Sequence, residues 1–225
     1  MIVRRAIVPA LALAALALAP LQRAEQSQTP GPQRSTRLDN ATVAVTRLAF
    51  PPGQREEVHT HPFPLVIVQV TPGNPTVVDR EMRRVGGGPG EVWFMPAGTP
   101  HSMANNGTAA FEVLAIAIKP DRPPAPAAPP TDAPPGVTRA TLVDNADARV
   151  VRVRFAPEGR EPLHTHPNDL LTIQITPGKV RIVNGSHTST VDCEPGYVQF
   201  LARGVQHSYA SADSKPFELL SVSIK

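Results

Sequence analysis

His59-Thr60-His61 precedes Gly90-Glu91-Val92-Trp93-Phe94-Met95-Pro96-Ala97-Gly98-Thr99-Pro100-His101, and the pattern returns as His164-Thr165-His166, Gly196 and Gly204-Val205-Gln206-His207. Six of the chain's seven histidines fall in these two sets. In an extended strand, residues i and i+2 face the same side, so each His-Thr-His presents two imidazoles on one face. A third histidine about 40 residues later returns beside them if a hairpin intervenes. Imidazole is the commonest metal-binding side chain. Three such ligands leave positions open to water or substrate, which separates a reactive site from a closed structural one.

Outward from these sets, the chain repeats itself at an offset of about 105 residues. Leu38-Asp39-Asn40-Ala41 returns as Val143-Asp144-Asn145-Ala146, and Thr71-Pro72-Gly73 as Thr176-Pro177-Gly178. After one inserted residue, Phe111-Glu112-Val113-Leu114 returns as Phe217-Glu218-Leu219-Leu220. A unit this long is a duplicated small domain rather than a solenoid repeat. The expected organisation is a leader at 1–24, a disordered linker at 25–34, a domain at 35–119, a linker at 120–136 and a domain at 137–225. The second linker holds eight prolines. Proline lacks an amide donor and fixes φ, so this stretch reads as a stiff spacer.

Secondary structure reads as all-β. Val43 to Phe50 and Arg149 to Phe155 alternate apolar and polar residues with the period of half-buried strands. Leu65 to Val70 and Leu170 to Ile175 are short apolar runs ended by Thr-Pro-Gly turns. Asn184-Gly185 between two strand-like runs predicts a two-residue hairpin of type I′. Gly86 to Gly90 lacks a following helix to hold a phosphate and reads as a hairpin turn.

These residues resemble the cupins, small jelly-roll barrels with two sequence motifs. The first motif is a glycine, a His-x-His, a glutamate and a glycine; Gly53, His59, His61 and Gly73 match it. Gly90, Pro96, Gly98, His101 and Asn105 match every fixed position of the second motif. The second copy keeps His164, His166, Gly178, Gly196, Gly204 and His207, with Glu158, Ala202 and Ser211 at departing positions. The resemblance implies two tandem cupin jelly-roll barrels and six metal ligands: His59, His61, His101, His164, His166 and His207. The motif's glutamate ligand falls at Val66 and Leu171, both apolar. The resemblance therefore narrows to three-histidine cupins, which include thiol and β-diketone dioxygenases using non-haem Fe(II). Iron is the expected cofactor; Zn, Mn, Ni and Cu also accept three imidazoles. The first copy's closer match makes His101 the third histidine whose loss is expected to matter more.

Other residues are candidates for completing a site. Glu57, two before His59, falls on the ligand face by alternation, although its counterpart is Pro162. Gln69 and Gln174 hold equivalent positions as weak oxygen ligands or donors to substrate. Met103 and Tyr209, two after the third histidines, line the pockets or pack the core. Asp169 reads as a turn residue, His187 as a surface histidine and Cys193 as a small buried apolar group.

Arg4 and Arg5 followed by the apolar run Ala6 to Ala19 read as a signal peptide ending near Ala24, so the expected location is periplasmic or secreted. The run is shorter than the roughly 20 residues that span a bilayer. Residues 1–24 hold three arginines and no acid, so removing them from the formal +3 leaves residues 25–225 neutral. The basic balance thus belongs to the leader and points to no nucleic-acid partner, and none is expected. The expected partner is a small molecule, with a homodimer left open. One cysteine excludes an intramolecular disulfide. Seven phenylalanines, two tyrosines and one tryptophan leave few platforms for stacking sugars. A metal-dependent enzyme, an oxygen-using dioxygenase first among them, and a non-catalytic ligand- or metal-binding module both remain open at this point.

Overall fold

The computed structural model describes residues 31–79, 83–84, 87–120, 133–213 and 215–225. The expected leader lies outside these residues, as do most of the first linker and residues 121–132 of the proline-rich one. The described residues form strands and no helix, and hence no helix long and apolar enough to cross a membrane.

The first half holds β1 (Gln33–Asp39), β2 (Val43–Phe50), β3 (Leu65–Gln69), β4 (Pro75–Val78), β5 (Arg83–Arg84), β6 (Val92–Met95), β7 (Ser102–Asn105) and β8 (Phe111–Ile118). The second repeats it with β9 (Val137–Asp144), β10 (Ala148–Phe155), β11 (Leu170–Gln174), β12 (Gly178–Asn184), β13 (His187–Cys193), β14 (Val198–Leu201), β15 (His207–Ser211) and β16 (Phe217–Ile224). Each half pairs a five-stranded sheet with a three-stranded one: β1-β2-β8-β3-β6 with β5-β4-β7, and β9-β10-β16-β11-β14 with β13-β12-β15. All pairings are antiparallel.

Two details differ from the sequence reading. The first domain's strands begin at Gln33, inside the stretch expected to be linker, and Arg34 is already committed to an ion pair with Glu56. The β12–β13 hairpin closes on the pair Asn184 and His187, which puts Gly185 and Ser186 in the loop. Gly185 has φ 61° at the first central position, which is the type II′ arrangement rather than type I′.

Each large sheet has two apolar faces. Leu48, Phe50, Leu65, Ile67 and Met103 fill the first barrel, with Phe50 stacked on Phe111 at 4.9 Å. Val153, Phe155, Leu170, Tyr209 and Cys193 fill the second, with Phe155 on Phe217 at 4.2 Å. The opposite faces meet each other. Val43, Val45, Val66, Val68, Leu114, Ile116 and Ile118 form one buried cluster with Val150, Leu171, Ile173, Leu220, Val222 and Ile224. The two barrels thus stand back to back across a shared sandwich core. Arg152 Nη2 donates to the carbonyl of Gly90 in the other barrel at 2.7 Å, and its Nε lies 3.1 Å from Glu218. The glycine is required there: Gly90 has φ 88°, and a Cβ would stand 2.8 Å from the Arg152 guanidinium. Gly196 plays the same part in the second barrel, where a Cβ would meet Val70 at 2.9 Å.

Candidate metal centres

The third histidine reaches the first two through the backbone. His59 N donates to His101 O and His101 N to His59 O, both at 2.9 Å. The second barrel repeats the pair between His164 and His207 at 3.0 and 2.9 Å. The His-Thr-His segments are therefore single antiparallel bridges outside the regular strands. In each barrel one ring nitrogen from each of the three histidines lies within 4.8 Å of the others.

Backbone carbonyls orient the rings. His59 Nδ1 lies 2.8 Å from Glu57 O, His101 Nδ1 2.9 Å from Thr99 O and His164 Nδ1 2.9 Å from Pro162 O. His207 Nδ1 lies 3.4 Å from Val205 O. A carbonyl only accepts, so in these rings Nδ1 carries the hydrogen and Nε2 presents its lone pair. His59 and His61 face each other Nε2 to Nε2 at 3.0 Å, and His164 and His166 at 3.1 Å. Nitrogens bound to one ion at ~2.0–2.1 Å with tetrahedral angles would stand ~3.3 Å apart. The donor set fits a divalent metal, and the carbonyl partners are those that metal-binding histidines use.

Four of the six rings are held toward the neutral form. Burial, then the neighbouring imidazole His59, then His101 and the Arg34 guanidinium bring His61 down to about 4. Burial brings His166 and His207 to about 4 as well, with His164 adding to both. His101 is lowered, again chiefly by burial. A neutral imidazole is the form that binds metal.

The acidic ligand is missing, at a position one residue earlier than the motif alignment places it. Val66 and Leu171 are 0 % exposed within the inter-barrel core and face away from the histidines. The side chains that line the pockets beside the triads are Leu65 and Leu170. The conclusion that no carboxylate occupies this place holds, on different residues.

The auxiliary candidates separate. Glu57 is exposed, because a bend at Val58 interrupts the alternation that put it on the ligand face; its carbonyl, not its carboxylate, serves His59. Its neighbour Glu56 is 7 % exposed, pairs with Arg34 and lines the first pocket. Glu161 does the same in the second pocket, accepting from Arg139 Nη2 at 2.7 Å. These two pairs were missed, although Arg34 and Arg139, like Glu56 and Glu161, recur at the repeat's own offset. Gln69 and Gln174 do not line either pocket. Gln69 Nε2 donates to Thr71 O and Gly73 O at 2.9 Å, and Gln174 Nε2 to Thr176 O at 2.8 Å, so both brace the Thr-Pro-Gly turns. Met103 and Tyr209 are buried and line the first and second pockets respectively. Asp169 is buried and accepts from Arg203 N at 2.9 Å, while Asn105 holds Phe50 O and Ala109 O. Cys193 is buried, its thiol pushed up to about 11 by burial and then by Asp192, and His187 is exposed.

Comparison with known proteins agrees with this architecture. Residues 46–117 match the family model described as "Cupin domain". No curated protein sequence matches the chain significantly. Among solved structures, a salicylate 1,2-dioxygenase from Pseudaminobacter salicylatoxidans superposes with TM-score 0.68 at 12 % identity, over 86 % of this chain and 76 % of that one. Oxalate decarboxylase from Lactobacillus farciminis gives 0.63 at 15 %, over 85 % and 84 %. A cupin 2 conserved barrel protein from Leptotrichia buccalis gives 0.61 at 12 %, over 86 % and 89 %. At such identities the likeness is one of fold. Both halves of the chain have the cupin fold, and residues 46–117 match the cupin domain in sequence as well.

Proposed function

We propose that the protein is an exported, metal-binding bicupin, and a metal-dependent dioxygenase of the non-haem iron type acting on a small polar molecule. The observation that carries this reading is the pair of histidine triads, each with one ring nitrogen per histidine converging beside a pocket and with no carboxylate grouped among them. His59, His61 and His101 would hold one ion, and His164, His166 and His207 another. Bound iron supplies one-electron chemistry with oxygen; zinc would supply Lewis acidity alone. The chain's own part is to present three fixed lone pairs, exclude bulk water with leucine and valine walls, and admit substrate at the open side. That a structural neighbour is a salicylate dioxygenase supports the reading. Its export rests on the leader-like residues 1–24.

The test is the metal content of protein purified without added metal, followed by oxygen uptake against a panel of thiols, 1,3-diketones and hydroxy acids. Iron with substrate-dependent uptake is the expected result. Tightly held zinc with no uptake overturns the dioxygenase.

A further inference from the structure

The two pockets share their histidines and their Arg–Glu pairs, yet their walls differ in kind. The first encloses about 100 Å³ and the second about 320 Å³. The larger reaches the ~300–1,000 Å³ range of small-molecule sites.

The register explains the difference. In the first barrel one row across the sheet runs Thr46, Ala115, Ile67, Trp93. The matching row of the second runs Val151, Ser221, Thr172, Gln199. The next row toward the histidine loop is Ala44, Ala117, Leu65 in the first barrel and Arg149, Ser223, Leu170 in the second. Met103 beside the first triad is replaced by Tyr209 beside the second. Five cavity-lining positions thus change from apolar to polar or charged, and one, Thr46 to Val151, changes the other way.

The polar groups divide into those already satisfied and those left open. Tyr209 OH donates to Gln199 Oε1 at 2.9 Å and lies 3.0 Å from Thr172 Oγ1, a closed network within the wall. Arg149 is half-buried, and its Nε is fully buried with no hydrogen bond among the described residues. The nearest carboxylate oxygen, Asp144 Oδ2, is 3.9 Å away, and Asp144 is also engaged by Lys225. A cavity lined by a half-buried guanidinium, whose Asp144 neighbour stands at 3.9 Å, and by Ser221 and Ser223 suits an anion that also carries hydroxyl-type groups.

We propose that the second barrel is the substrate-binding one, that its ligand is a small hydroxylated carboxylate held by Arg149, Ser221 and Ser223, and that the first barrel's pocket is too small and apolar for it. This deepens the functional reading above and rests on it for the assignment of a reacting centre. Motif similarity favours the first barrel; the walls favour the second.

The test is calorimetric titration of the metal-stripped full chain with lactate and with its neutral counterpart lactamide. Lactate is expected to bind at least about tenfold more tightly than lactamide, the scale of one charge-assisted hydrogen-bonded pair. Arg149→Gln should remove that preference and Arg149→Lys should keep part of it. The double variant Ser221→Ala/Ser223→Ala, which installs the alanines the first barrel already packs, should weaken both ligands severalfold without loss of fold. Equal affinities for lactate and lactamide, or lactate binding unaffected by Arg149→Gln, overturns the proposal. Titration needs no turnover, so the two readings fail separately. Arg149-dependent lactate binding without oxygen uptake removes the dioxygenase and keeps the site. Oxygen uptake with binding indifferent to Arg149 does the reverse.

Discussion

Glu158 stands where the first barrel has Gly53, and both adopt the left-handed conformation, with φ 63° and 77°. A residue with a Cβ is strained there by about 1–2 kcal/mol. Glu158→Gly should therefore stabilise the protein by about 1 kcal/mol, read as a shift of the urea midpoint. Histidine burial makes a second prediction at this scale. In metal-free protein His61, His166 and His207 titrate near 4, against an unfolded value of 6.5. Between those values the unfolded chain binds more protons than the folded one, so stability must fall as pH drops from 6.5 toward 4. Chelator-treated protein should show a lower urea midpoint at pH 5 than at pH 7.5, and His207→Gln should flatten the dependence. The histidines were legible in the sequence because their spacing is local and occurs twice. Glu56 and Glu161 escape a count of alternation back from the histidines because a bend, at Val58 in the first barrel and at Leu163 in the second, breaks it. Their shared offset, rather than their distance from the histidines, was the signal.

At the scale of the strand, β3 and β11 are buried on both faces. Such strands read as continuous apolar runs, so alternation cannot say which residues face inward. Motif spacing alone therefore points to Val66 and Leu171, which pack against the other barrel, whereas Leu65 and Leu170 line the pockets. The two registers predict opposite outcomes. Leu65→Glu places a carboxylate in the pocket beside the first triad, and a metal-loaded protein should tolerate it and hold divalent metal more tightly. Val66→Glu buries an unpaired charge in the inter-barrel core and should cost about 3 kcal/mol or more. Thermal melts and metal titrations of the two variants distinguish them. The hairpin turn is legible from Asn184-Gly185, but strand pairing continues through Asn184 and centres the loop on Gly185 and Ser186.

For the whole molecule, the duplication and the β class could be read from the repeat and the strand periods, but the back-to-back packing could not. Nothing in a single strand says which partner covers its outer face. That packing couples the barrels. Trp93, the chain's one tryptophan, lies in the first barrel, whereas Leu220 lies in the second and is fully buried in the shared core. Leu220→Ala should cost about 2–5 kcal/mol. The loss should appear in Trp93 fluorescence as a lower midpoint, coincident with far-UV circular dichroism. Independent barrels would leave the Trp93 transition unmoved.

The account turns on two ions held by two triads. Its most direct test is elemental analysis of metal-loaded full-length protein after desalting, beside the paired variants His59→Gln/His61→Gln and His164→Gln/His166→Gln. The account predicts about two divalent ions per chain, falling to about one in each variant. Wild-type protein that retains no metal, or a stoichiometry that neither variant changes, would contradict it.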